Sequence, residues 1–237
     1  MSPWLREPLA LGLDAGALAV ADEVMANADS AWSLGNLTLA LAAVRERHAG
    51  ARAARLLVAP DLCRHFVLAP PAGLRAFSEL RSLAAARAAQ IFGAGAWAGV
   101  ADWHLKRPFA CAALPQPLLQ ALLDAAREAG LTLGLESAVL AALPLAAPAP
   151  GYSAFATPAH VVLVHADRSG ADVLRCLRRP TADAGDSLQA FAAQEAMRES
   201  LRAGTAAPAL QWLQPLAVEA SDNEARWASR LAAKGGR

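Results

Sequence analysis

Between residues 55 and 143 the chain alternates pairs of short apolar runs with well-marked helices, and that rhythm limits the folds open to it. Arg55–Ala59 and Cys63–Ala69 read as two strands, parted by the turn Pro60-Asp61 and stopped by Pro70-Pro71. Ser78–Phe92 has helical spacing, with Leu80, Leu83, Ala84, Ala88 and Ile91 on one side, Ser78 as its N-cap and Gly93 and Gly95 at its end. Trp97–Trp103 and Phe109–Leu114 form a second strand pair around the polar loop His104–Pro108. Pro117–Ala129 is a second helix, begun by a proline and ended by Gly130. The strand Leu131–Leu135 and the apolar helical run Ala138–Leu143 follow. A doubly wound parallel sheet would place single strands between helices. Strand pairs instead predict an α/β chain with mixed sheets and helices packed outside them.

The flanking regions extend this pattern. Leu9–Leu13 and Ala17–Val20 read as strands joined by the tight turn Asp14-Ala15-Gly16, with Gly16 expected at positive φ. Leu37–Arg47 has helical spacing. Ala146–Pro158 is rich in Ala and Pro and reads as a linker. Val161–Ala166 and Asp172–Leu177 form a hairpin around Asp167-Arg168-Ser169-Gly170. Ser187–Arg202 is a helix, Leu210–Leu213 a final strand, and Asp222–Arg237 a charged tail, frayed or a last short helix. The expected organisation is a first lobe over 1–145, a linker over 146–158, and a second, smaller lobe with the tail over 159–237.

Composition narrows the function. The chain is 55% hydrophobic and 18% charged, which excludes disorder. Much of the apolar content is alanine, which buries little area per residue. A net charge of +1, with arginines scattered and only Lys106 and Lys234 as lysines, leaves no nucleic-acid footprint. Cys63, Cys111 and Cys176 are far apart and in apolar runs, so they read as reduced core thiols and not as a disulfide framework or zinc site. The longest weakly charged stretch, Leu131–Val164, is broken by Glu136, Gly151 and four prolines, so it is not a membrane span. Arg6 and Glu7 precede Pro8 with no signal-peptide core. The expected location is therefore the cytoplasm, at the membrane only through partners.

At Arg55–Pro144 the residues carry a resemblance. "RLLVAPDLCRHFVLAPP", a helix, then "WAGVADWHLKRPFACAALPQPLLQALLDAAREAGLTLGLESAVLAAL" is similar to the actin-like domain of the PilM family and of the cytoplasmic part of GspL. Asp102-Trp103 at a strand end, Leu114-Pro115 before a helix, and Gly130 leading into a strand carry it. The resemblance implies an actin-like, RNase-H-like fold with a reduced or missing subdomain, since the chain is shorter than a full PilM. It also implies partners: a PilN-like or GspM-like inner-membrane protein and the assembly ATPase of a type IV pilus or type II secretion system.

Chemistry-bearing motifs are few. Gly12, Asp14 and Gly16 stand where an actin-like ATPase cradles phosphates and organises Mg²⁺ for ATP, but Ala17-Leu18-Ala19-Val20 supplies no hydroxyl or base after them. The family's second phosphate loop is expected at Asp167–Gly170, where Arg168 intrudes in an Asp-x-x-Gly. There is no Gly-x-Ser-x-Gly, and none of His48, His65, His104, His160 and His165 is paired in sequence with a nucleophile. Asp102 and His104 share a strand face and read as a surface pair. Trp97 and Trp103 are expected at the two ends of one strand, on one face, as candidates for partner contact. The leading expectation is a scaffold without catalytic residues or cofactor. An ATP-binding enzyme of the actin/sugar-kinase fold and a bare oligomerisation module are the alternatives.

Overall fold

A large–small alternation in the first strands decides how the helices stack. In β1 (Leu9–Leu13), Leu9, Leu11 and Leu13 face one way and Ala10 and Gly12 the other. In β2 (Ala17–Val20), Leu18 and Val20 join the large face and Ala17 and Ala19 the small one. The large face buries leucines against α1 (Leu34–Arg47) and α3 (Gln116–Glu128), which also pack on each other. Each such leucine contributes roughly 1.5–3 kcal/mol. The small face admits α6 (Glu224–Lys234) at very short range. A Cβ on Gly12 would lie 1.9 Å from the Ala225 carbonyl oxygen and 2.5 Å from the Ser229 nitrogen, so only glycine fits.

The computed structural model describes residues 7–21, 23–27, 29, 31–101, 103–146, 150–167, 170–180, 187–205, 209–219 and 221–234. Its first sheet has five strands in the order β3-β2-β1-β4-β8, with β3 (Glu23–Ala26), β4 (Ala53–Val58) and β8 (Thr132–Ser137). β1, β2 and β3 form an antiparallel meander, α1 crosses over, and β4 and β8 run parallel to β1. The second sheet has four strands in the order β11-β10-β9-β12: β9 (Gly151–Ala156), β10 (His160–Asp167), β11 (Gly170–Arg178) and β12 (Leu210–Trp212). It repeats the plan: an antiparallel meander β9–β11, a crossover through α5 (Leu188–Ala203), then β12 parallel to β9.

Helices α4 (Ala138–Ala146) and α6 lie between the two sheets, in one cluster with Leu57, Phe155, Val162, Val164 and the fully buried Trp227. α5 covers the outer face of the second sheet through Ala192 and Ala196. The layers therefore run helix, sheet, helix, sheet, helix. A third, three-stranded sheet, β5-β7-β6, is inserted after β4, with β5 (Arg64–Leu68), β6 (Trp97–Ala101) and β7 (Phe109–Pro115). α2 (Phe77–Phe92) packs on it through Leu80, Ala84 and Ala88.

Several expectations need correcting. The stretch 146–158, expected as a linker, contains β9, a central strand of the second sheet. Its hydrogen-bonded place between β10 and β12 outweighs an Ala/Pro-rich composition. Gly16 is not at positive φ, because the Asp14 side chain closes the turn instead; among the described residues the non-glycine position at positive φ is Ala21, after β2, at φ 50°. α2 starts at Phe77, with the Glu79 carboxylate accepting from the Arg75 and Ala76 N–H groups where Ser78 was expected as cap. β6 stops at Ala101, so Trp103 lies beyond the strand. Of the two readings of the tail, frayed or a last short helix, the helix is found, as α6 over Glu224–Lys234. Among the described residues no helix is long and apolar enough to cross a membrane.

Candidate functional site: a tryptophan-lined groove and two closed hairpin turns

The β1–β2 turn is built around one carboxylate. Asp14, only 7% exposed, accepts through Oδ1 from the backbone N–H of Gly16 at 2.7 Å and of Ala17 at 2.6 Å. Its Oδ2 accepts from the Ala225 N–H in the first turn of α6 at 3.0 Å. The Ala15 N–H donates to Asp61 Oδ2 at 2.9 Å. Three successive N–H groups of this turn are thus all bound by side chains of the chain itself. Asp61 is pushed above the usual carboxylate range, chiefly by burial, and its Oδ1 has no partner. Gly12, Asp14 and Gly16, the sequence candidates for phosphate contact, sit together here: Gly12 under α6, Asp14 wired to it, Gly16 in the turn.

By its place in the meander, the counterpart of this turn in the second sheet is β9–β10, and not the β10–β11 turn at 167–170. Arg168 and Ser169 lie outside the described residues. In the β9–β10 turn, Glu224 Oε1 accepts from the Thr157 hydroxyl, from the Ala159 N–H at 2.8 Å, and meets His160 Nδ1 at 3.0 Å. Arg179 donates to the Thr157 and Pro158 carbonyls of the same turn, at 3.3 and 2.9 Å. Both turns therefore meet at the start of α6, where Asn223 caps the helix by accepting from the Arg226 N–H at 2.8 Å.

Beside them is a cavity of about 360 Å³, lined among others by Asp61, Cys63, Arg64, His65, His160 and Arg178. Burial pushes the Cys63 thiol up to about 12 and lowers His65 to about 3. At neutral pH the pair, 3.6 Å apart, is a protonated thiol beside a neutral imidazole, which is not an activated nucleophile. His65 Nε2 is held by Ser137 Oγ at 2.8 Å. Cys111 is likewise raised to about 12 by burial. His165 pairs with Asp172 at 2.6 Å, and Arg107 NH2 lies 3.1 Å from His104 Nε2, while Asp102 lies outside the described residues. No three His, Cys, Asp or Glu side chains among the described residues converge as metal ligands.

At the other edge of the third sheet, along β6, lies an open groove of about 580 Å³. Trp97, Ala98 and Val100 of β6, Trp103, Leu119 of α3 and Leu135 of β8 give it an apolar floor, and Arg81 and Ser82 of α2 stand at its side. The two sheet edges β6 and β8 approach each other here. Trp97 and Trp103 are both half-buried and pack on the α2 side of the sheet, Trp97 against Phe92 and Trp103 against Phe109 and over Gly99. They border one groove, although not as ends of one strand. Leu119 and Leu135 had no distinguishing signal in the sequence, and neither did Thr157, His160 or Glu224, whose neighbours come from remote elements.

No family model matches the chain, and no curated protein sequence matches it significantly. Solved structures do. A chain of the PilM-PilN type IV pilus biogenesis complex aligns over 98% of this chain and 99% of its own length, with a TM-score of 0.54 and 14% identity. The cytoplasmic domain of EpsL, an inner-membrane component of the type II secretion system of Vibrio cholerae, aligns over 97% and 94%, with a TM-score of 0.44 and 16% identity. A protein from Bacteroides thetaiotaomicron with an actin-like ATPase fold aligns over 84% and 78%, with a TM-score of 0.48 and 8% identity. The likeness that Arg55–Pro144 carries in sequence is thus a likeness of fold over nearly the whole chain, and the chain shares the fold of the pilus-complex protein.

Proposed function

We propose that this protein is a cytoplasmic adaptor of a type IV pilus or type II secretion assembly, not a nucleotide-dependent enzyme. Its ligand is an extended segment of an inner-membrane partner, seated in the Trp97/Trp103 groove. The observation that carries this reading is the groove itself: an apolar floor between two sheet edges, β6 and β8, that lack a second neighbour among the described residues. Such edges take an added strand through main-chain hydrogen bonds, while side pockets read alternate side chains. Arg81 beside it forms no ion pair among the described residues and suits an acidic residue on the segment. PilM, whose fold this chain has, is described in complex with PilN, and a PilN-like or GspM-like protein is the partner class that fits. The assembly ATPase is a second partner in this reading, and the membrane is reached through these partners alone.

The enzyme reading draws no support from the turns. The N–H groups that an ATPase of this fold would offer to phosphate are bound by Asp14, Asp61 and Glu224.

The test is calorimetric titration of the chain with the N-terminal cytoplasmic peptide of a PilN-like or GspM-like protein. Binding in the micromolar range is expected, weakened at least about tenfold by Trp103→Ala and by Leu119→Asp, the size of effect a groove anchor gives. Unchanged affinity in both variants, with the fold retained, would remove the groove from the account.

A further inference from the structure

We propose that the β9–β10 turn is an oxyanion-binding cradle that the chain keeps filled with its own Glu224 carboxylate. The inference rests on the adaptor reading and deepens it, by naming what fills a turn whose donors would otherwise be open to a ligand.

The donors come first. Thr157 Oγ1, the Ala159 N–H and His160 Nδ1 converge on one oxygen, Glu224 Oε1. They come from a four-residue turn closed by a hydrogen bond from the Thr157 N–H to the His160 carbonyl, at 2.9 Å. A short turn whose N–H and hydroxyl groups point to one spot is a concave anion site. The two outward carbonyls of the turn are held by the Arg179 guanidinium, which adds a positive charge behind the donors.

The occupant comes second. Glu224 is 5% exposed, and its second oxygen, Oε2, has no partner. An idle acceptor in a buried carboxylate is costly. The turn's donors are satisfied while the acceptor is only half used, so the arrangement fits the needs of the turn better than those of the glutamate. A side chain placed for its own packing would show the reverse.

The third observation is independent. The topologically equivalent turn of the first sheet is filled in the same manner, since Asp14 Oδ1 takes two of its N–H groups. Both carboxylates also join α6: Glu224 belongs to its first turn, and Asp14 accepts from the Ala225 N–H. Two internal anions thus hold two equivalent turns on one helix start, where the helix dipole favours negative charge. The cradle suits a carboxylate or a phosphate oxygen, and in the native chain neither diffusible ion can displace a tethered one.

The experiment is rescue of thermal stability. Glu224→Ala empties the cradle and should lower Tm. Formate or inorganic phosphate, at millimolar concentration and fixed ionic strength, should then raise the Tm of the variant saturably and leave the native chain unchanged. Adding Thr157→Val to Glu224→Ala should abolish the rise. Rescue by either ion supports the cradle. A folded Glu224→Ala variant with no anion-dependent rise beyond that of the native chain overturns it. Should that variant not fold, Glu224→Gln decides by NMR: upfield movement of the Ala159 amide proton supports the contact, and an unmoved resonance refutes the proposal. Binding of Mg-ATP to the native chain would defeat the adaptor reading whatever the rescue shows, so the two failures are distinguishable.

Discussion

The two main sheets follow one plan and are stabilised very differently. Each has an antiparallel meander, a helical crossover and a strand parallel to the first. The first adds a fifth strand and buries a cluster rich in leucine, including Leu11, Leu13, Leu18, Leu37, Leu41, Leu56, Leu114 and Leu122. The second has four strands, and its outer layer rests on Tyr152, Ala154, Val161, Leu163, Ala192 and Ala196. Alanines at a helix–sheet contact bring the elements close and bury little area. The difference teaches that the second half relies on what it shares: α4, α6 and the fully buried Trp227 between the sheets. α6 is the common element, lying on the small-residue face of the first sheet and carrying the carboxylate that holds a turn of the second.

The sharpest way to break this comparison is at Gly12. Gly12→Ala forces α6 off the first sheet, and a loss of about 3 kcal/mol or more in denaturant unfolding is expected, taking order in the second sheet with it. Gly134→Ala in β8 of the same sheet is the control: its Cβ would meet nothing nearer than the Ala54 carbonyl at 3.8 Å, so a change within about 0.5 kcal/mol is expected. Equal losses in the two variants would mean that close approach of α6 is not what Gly12 supplies. A smaller effect is expected from native-state hydrogen exchange. Amides of β9, β12 and α5 should exchange through openings that cost less than those of β1 and β4. Equal protection in both sheets would mean that the leucine-rich core gives the first half no local advantage.

Much of this architecture was legible in the chain. α2 and α3 announced themselves by period and by terminal glycines, and the pair β6–β7 was legible; β4 and β5, read as a pair, part company, β4 joining the first sheet and β5 the inserted one. The signal failed where pairing, not composition, decides. β9 is hidden by the prolines and alanines around it, and β3 is a four-residue edge strand, largely exposed, with no apolar alternation to read. The groove was half legible. Trp97 and Trp103 could be singled out by residue type, whereas Leu119 and Leu135 are ordinary leucines until the sheets bring them together. At Asp14 the residue was found but its role was not, because its partner Ala225 lies 211 positions away. Long-range contacts of this kind leave no local periodicity.

The most direct test of the central claim is a paired calorimetric titration of the native chain, once with Mg-ATP and once with the N-terminal peptide of the membrane partner. The account predicts saturable micromolar binding of the peptide and no heat from nucleotide up to millimolar concentration. Tight nucleotide binding without peptide binding would contradict it.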